Sequence, residues 1–336
     1  MRKKIESILR SVMPDYIVDK LRPIRDYIWL REWRKETTKS FGIKNPDIYF
    51  YVIRLEPSDG GRGGMFAHYL IVLRHIIIAL ERNMIPIIDM ENYKTSYSED
   101  CLINNTNNAW EYYFTQPWSY PLSEVYESKN VLLTGRYPPN NTVIDSLLAG
   151  LYTDIETIKQ VNAVIEKYMR FNAITEAYID KHVLSVLAGK RNVLGVSSRG
   201  TDYVKFRPKG HSIQPDLDCL LEITRQKADE WNVDCIYIAT EEAEALENFK
   251  CAFPGKILAT DSFRHAKYDS SLMITEVRFD RENDKYLSGL EYIRDIVLLS
   301  RCDYFLGTLT SGASAAILMN SGKYKDKFVI DLGVYP

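Results

Sequence analysis

No apolar run in the 336 residues is long enough to cross a membrane, a span that takes about 20 consecutive residues. The first 36 residues also lack the continuous apolar stretch of a secretion signal. Cysteine is sparse. Cys101, Cys219, Cys235, Cys251 and Cys302 make an odd number, with no Cys-x-x-Cys pair. That argues against a disulfide framework or a zinc site of the usual spacing, and no metal ligand set is expected. It fits buried thiols in a reducing compartment. Charge of one sign is not in excess either. A formal net charge of -2 gives no support to nucleic acid as the main partner. Two phosphate signatures are missing as well. The glycines do not keep the Gly-x-Gly-x-x-Gly spacing, and no Gly-Lys-Ser/Thr follows them, so neither a dinucleotide fingerprint nor a Walker loop is present.

What remains is an ordinary globular composition, 46% hydrophobic and 26% charged, over a length that favours two domains. Residues 1–36 carry ten Lys/Arg against six Asp/Glu, interleaved with apolar residues and with Trp29 and Trp33. They read as a basic, amphipathic helix-like arm, assigned to residues 1–45. Such an arm either lies on an anionic membrane surface or packs on protein. The expected location is cytoplasmic, or peripheral on the inner face of the membrane.

The first body domain is assigned to residues 46–190. Asp47 to Leu55 reads as a strand, Ser58 to Met65 as a glycine-rich turn around Arg62, Phe66 to Arg82 as an apolar helix and Ile85 to Met90 as a strand. A strand, glycine loop, helix and strand in that order predict a parallel sheet. The glycines let a ligand approach the backbone, and the helix amino terminus favours an anion. Residues 91–150 look irregular and polar-aromatic. Trp110, Tyr112 and Tyr113 there suit either sugar stacking or a satellite core. Helices follow from Asp154 to Leu187.

The second domain, residues 191–336, alternates strand and helix. Strands are expected at 193–196, 234–239, 256–260, 303–306 and 327–332, with helices at 215–231, 241–250, 287–301 and 312–319. That is the pattern of a doubly wound sheet. Three strand ends open into polar loops: Ser197 to Asp202, Thr240-Glu241-Glu242, and Gly307 to Gly312. The carboxyl edge of such a sheet is where ligands bind. Arg199 at that edge suits a phosphate, because its planar fork gives bidentate, charge-assisted bonds. A surface pair with Asp202 is the alternative. The loop at 307–312 opens a helix with small residues and free amides, which suits a diphosphate. Asp295 falls inside an apolar helical run, Tyr292 to Leu299, so its carboxylate needs a partner. Arg294, about 100° away on a helix, is expected to be a poor one. The fold class is therefore α/β: two Rossmann-like doubly wound domains facing a cleft, the GT-B architecture, with an amino-terminal helical arm.

Several spaced segments resemble the fucosyltransferase superfamily of α-1,6-fucosyltransferases, nodulation fucosyltransferases and protein O-fucosyltransferases. Ser197-Ser-Arg-Gly-Thr-Asp202 occupies a His-x-Arg-x-x-Asp motif, and Ala239-Thr-Glu-Glu242 occupies an Ala-Thr-Asp-Asp motif. Asp295 followed by Asp303-Tyr-Phe-Leu-Gly-Thr-Leu-Thr-Ser311 matches the third. The Gly61 to Gly64 loop and His68 resemble the family's amino-terminal glycine loop and its histidine. The resemblance spans most of residues 50–320.

The resemblance implies an inverting, metal-independent transferase that uses GDP-fucose or another nucleotide sugar, needs no cofactor, and acts on a glycan or glycolipid in surface polysaccharide synthesis. Arg199 would bind the β-phosphate, Asp295 the guanine edge, and Thr308, Ser311 and Gly312 the nucleotide. Arg62 and Gly63 would face the sugar or the phosphates across the cleft. Ser197 stands where the family has a base-contacting histidine, Met65 where protein O-fucosyltransferases have asparagine, and Arg207 near the glutamate base of the α-1,6 enzymes. Asp202, His211 and Glu241 remain as candidate bases, with loop orientation as the other role for Asp202. Loss of the base would leave a non-catalytic nucleotide-binding scaffold.

Overall fold

Two sheets built from strand-helix-strand units organise the chain. The computed structural model describes residues 35–55, 63–135, 138, 143–199, 201–265 and 277–336. The expected helical arm falls almost wholly outside the described residues. The strands are β1 Thr37–Lys39, β2 Lys44–Ile53, β3 Ile85–Ile88, β4 Ser128–Leu133, β5 Val193–Ser198, β6 Cys235–Thr240, β7 Ile257–Leu258, β8 Tyr304–Thr308 and β9 Asp326–Ile330. The helices are α1 Met65–Glu81, α2 Leu122–Val125, α3 Val143–Ala149, α4 Ile155–Tyr168, α5 Ala173–Leu187, α6 Thr201–Phe206, α7 Leu217–Glu230, α8 Ala243–Ala252, α9 Asp284–Ser300 and α10 Ser311–Asn320.

The first sheet runs β1-β4-β2-β3, with β2 parallel to both β3 and β4 and β1 antiparallel at the edge. This differs from expectation in two ways. Thr37–Lys39 belongs to the sheet, not to the arm. Ser128–Leu133, inside the stretch read as irregular, is an internal strand. Its sequence, Ser-Lys-Asn-Val-Leu-Leu, opens polar and carries only a short apolar end, so periodicity could not reveal it. Within that same stretch Trp110, Tyr112 and Tyr113 are fully buried. Trp110 stacks on Phe114 with ring centres 4.2 Å apart, so these aromatics are core.

The second sheet is all parallel, in the order β7-β6-β5-β8-β9. Along β5 successive residues alternate between faces. Leu194 and Val196 pack with Leu220 and Ala228 of α7 and with Leu246 and Phe249 of α8. Val193 shares the other core with Leu298 and Leu299 of α9 and Ile317 of α10.

That second core is continuous with α1 and the aromatic cluster of the first half. Phe66 of α1 meets Tyr292 of α9 edge to face at 5.1 Å. Gly289 of α9 is required at this junction, since a Cβ there would lie 2.3 Å from the Tyr113 hydroxyl. Tyr113 cannot retreat, because it is buried and donates to the Tyr286 carbonyl at 3.0 Å. The halves therefore share a packed core rather than only facing each other across an open cleft. Helices α4 and α5, assigned to the first domain from sequence, pack on the second sheet's layer. Asn162 of α4 donates to the Leu318 carbonyl of α10 at 3.1 Å, and Tyr178 of α5 accepts from Arg294 of α9 at 2.9 Å. The first is a buried and the second a partly buried polar contact, and both hold the register of helices otherwise joined by apolar packing. Among the described residues, no helix is long and apolar enough to cross a membrane.

Candidate functional site

Strand order reverses at β5, whose neighbours β6 and β8 lead to opposite edges of the sheet. A crevice forms outside the carboxyl ends at such a point. Here a cavity of about 330 Å³ opens beside Ser197, Ser198, Arg199, Gln214, Asp216 and Thr308. The expected edge location of Arg199 and Ser197 is thus what the fold builds.

Arg199 is largely buried and forms an ion pair with Glu241 at the end of β6. Its guanidinium also lies 5.1 Å from the ring centre of Tyr203. Arg199 thus pairs with Glu241, whereas the sequence alternative is a surface pair with Asp202. The parallel register sets Ser198 beside Thr240, so the residues that follow, Arg199 and Glu241, leave the sheet side by side. The side chain of Asp202 and all of Arg62 lie outside the described residues.

Thr308 is buried, and its hydroxyl donates to Gln214 Oε1 at 2.6 Å. Gln214 Nε2 in turn donates to the Ser212 carbonyl at 2.9 Å. Thr308 thus holds the wall of the cavity. Thr310 caps α10, its hydroxyl accepting from the Ala313 amide at 3.2 Å. The amides of Ser311 and Gly312 lie before the helix's own bonding begins, and a helix start of this kind favours an anion. Gly312 is needed because a Cβ would meet the Tyr292 hydroxyl at 2.5 Å.

The glycine loop's end meets this edge from the other half. Gly63 is stapled by Ser96, whose hydroxyl donates to its carbonyl at 3.2 Å. The amide of Met65, at the start of α1, donates to the Tyr97 hydroxyl at 2.9 Å. Burial, above all other causes, pushes the Tyr97 phenol up to about 12, and Glu241, Arg199 and Arg278 act on it electrostatically. The Tyr292 phenol is raised by burial too, with Arg199 and Glu241 again near it. So Tyr97 and Tyr292 join the Arg199–Glu241 pair, and neither was picked out from sequence. His68 is buried behind Gly63, and burial lowers its ring to about 4, so it is neutral near pH 7. His211 is exposed, and its Nδ1 lies 3.2 Å from the Tyr203 hydroxyl.

Asp295 sits apart from that cavity, beside the loop that follows β7. Its carboxylate accepts from Thr260 at 2.9 Å, from Ser262 at 2.8 Å and from Arg294 Nε at 3.0 Å. The pairing with Arg294 overturns the expectation that a sequence neighbour is a poor partner. The two Cβ atoms diverge, but the long arginine side chain curls back. Arg294 also donates to Asp261 and Tyr178, each at 2.9 Å, and to Ser262. Burial alone would lower the Arg294 guanidinium, yet the Asp295 charge leads the causes that raise it above its ordinary value.

Residues 151–315 match the family model described as α-(1,6)-fucosyltransferase N- and catalytic domains. That span, 165 of the 336 residues, resembles a fucosyltransferase catalytic domain. It runs from α4 into α10 and contains Arg199, Glu241, Asp295 and Thr308. Among solved structures, fucosyltransferase NodZ from Bradyrhizobium is similar at 14% identity over 81% of this chain and 92% of that one, with a TM-score of 0.47. The FUT1 protein of Arabidopsis thaliana, solved with GDP, is similar at 9% identity over 99% and 79%, with a TM-score of 0.48. POFUT1 in its apo form is similar at 11% identity over 84% and 99%, with a TM-score of 0.46. No curated protein matches the chain in sequence.

Proposed function

We propose that the protein is an inverting, metal-independent fucosyltransferase that takes fucose from GDP-fucose and passes it to a glycan or glycolipid in surface polysaccharide synthesis. The observation that carries this reading is Arg199, held at the strand-order reversal beside the cavity and within the matched span. In an inverting displacement the bond to the diphosphate breaks as charge grows on the leaving oxygens. Arg199 and the amides at the start of α10 supply positive charge for it without a metal. Asp295 reads the guanine edge, whose N1–H and amino group both donate. A carboxylate has about four acceptor sites, so its three bonds to Thr260, Ser262 and Arg294 leave capacity.

The test is a screen of nucleotide sugars for hydrolysis, alongside thermal shift with the free nucleotides. GDP-fucose is expected to be turned over, and GDP to stabilise the protein more than UDP does. Stabilisation by GDP with no turnover on any acceptor pool would favour a non-catalytic scaffold. Preference for a different nucleotide sugar would keep the fold and change the donor.

The basic segment 1–36 is proposed to contact an anionic membrane surface, where a lipid-linked acceptor would be met. Its ten basic residues interleave with apolar positions. Pelleting with anionic vesicles should fall as salt rises, because exposed charges are screened over about 10 Å at 0.1 M. Equal pelleting of full-length and arm-deleted protein would leave the arm a packing element.

A further inference from the structure

The Arg199–Glu241 pair places a carboxylate on a guanidinium that a diphosphate would claim. We propose that Glu241 is the general base of the transfer, and that donor binding frees it from Arg199. This rests on the nucleotide-sugar reading above. Arg199 lines the cavity and is only 14% exposed, while Glu241, paired with it, is 31% exposed, so the carboxylate is the more accessible member. A bound diphosphate brings more negative charge than one carboxylate and offers paired oxygens to the guanidinium fork. It therefore displaces Glu241 and repels it.

The backbone at Glu241 does not need to move. His265 donates its amide to the Glu241 carbonyl at 2.9 Å, and the Ala243 amide donates to the His265 carbonyl at 3.1 Å. Only the Glu241 side chain has to rotate. Among the described residues, the Tyr97 and Tyr292 phenols are also coupled to this carboxylate. Burial keeps both protonated near neutral pH, so neither competes as a base. The freed carboxylate then takes the proton of the acceptor hydroxyl as that oxygen bonds to C1 of the sugar. The C1–O bond to the β-phosphate breaks, its electron pair leaves with GDP, and Arg199 holds the new charge. Protonated Glu241 later returns its proton to solvent.

The signature is a pair of opposite effects in Glu241→Gln. Without a competitor for Arg199, GDP should bind about fivefold tighter, since more of the free protein is binding-competent. Hydrolysis of GDP-fucose, with water as the acceptor, should fall about 100-fold. Glu241→Asp keeps a shortened carboxylate and should retain turnover well above that of the glutamine variant. Calorimetric GDP titration and release of free fucose read the two arms. Weaker GDP binding in Glu241→Gln, or turnover within about threefold of the parent, overturns the proposal. If the parent protein hydrolyses a UDP-sugar in place of GDP-fucose, the donor reading fails instead. The same variants, titrated with UDP and assayed on that sugar, then decide the base. A parent protein that binds no nucleoside diphosphate overturns both.

Discussion

Arg199→Ala lowers donor turnover by about 10²–10³-fold, the loss typical of removing one preorganised charge from a transition state. Nucleoside diphosphate binding should weaken less, by about 1.5–3 kcal/mol, as for one charge-assisted contact. The larger effect on turnover follows because leaving-group charge is greatest as the bond breaks. Loss of the arginine also removes an ion pair with Glu241. Affinity for GDP and release of free fucose, measured on the same preparation, check both figures. Unchanged affinity and turnover would make Arg199 an edge residue held by Glu241 and the Tyr203 ring.

The second large effect is expected at Asp295 and Arg294, and it divides structure from recognition. Arg294 is 1% exposed and Asp295 8%. Arg294→Ala leaves that carboxylate without its cation and should cost about 3–5 kcal/mol of stability, read by chemical denaturation. Asp295→Asn is gentler. It keeps the shape but turns one acceptor oxygen into a donor facing Thr260, Ser262 and Arg294. If the carboxylate also takes the guanine edge, GDP should lose about 1–3 kcal/mol more than UDP, because uracil presents a single donor. Titration of both nucleotides into both proteins is the check. Equal weakening of GDP and UDP would assign Asp295 to the buried network alone.

Much of the second sheet, and helix α1 of the first half, was legible along the chain. Helix α1 was expected from Phe66 to Arg82 and runs Met65–Glu81. The strand carrying Arg199 was expected at 193–196 and runs Val193–Ser198. Apolar runs bounded by turn residues are local signals, and they survive in a parallel sheet because both faces are buried. The first sheet was harder, since β4 has few apolar residues and β1 only three positions in all. Glycine roles were half visible. The loop glycines advertised a turn, but Gly289 looked like an ordinary helix interior until Tyr113 was placed against it.

The site divides along the same line. The sequence by itself determined the alternation of strands and helices, the polar strand ends, the arginine at one of them and the buried carboxylate that needed a partner. These follow from period, burial pattern and residue chemistry over a few neighbours. Only the tertiary structure decided the partners. Glu241 reaches Arg199 across 42 positions, because parallel pairing sets two strand ends level. Tyr97 reaches the start of α1 across 32, because an irregular segment folds back over the glycine loop. Arg294 meets Asp295 because a long side chain bends where helix geometry alone would separate them. The shared core likewise joined α4 and α5, assigned to the first domain from sequence, to the second sheet's layer. Contacts between distant segments depend on how faces pack, and no local pattern encodes which distant group will fill a given face.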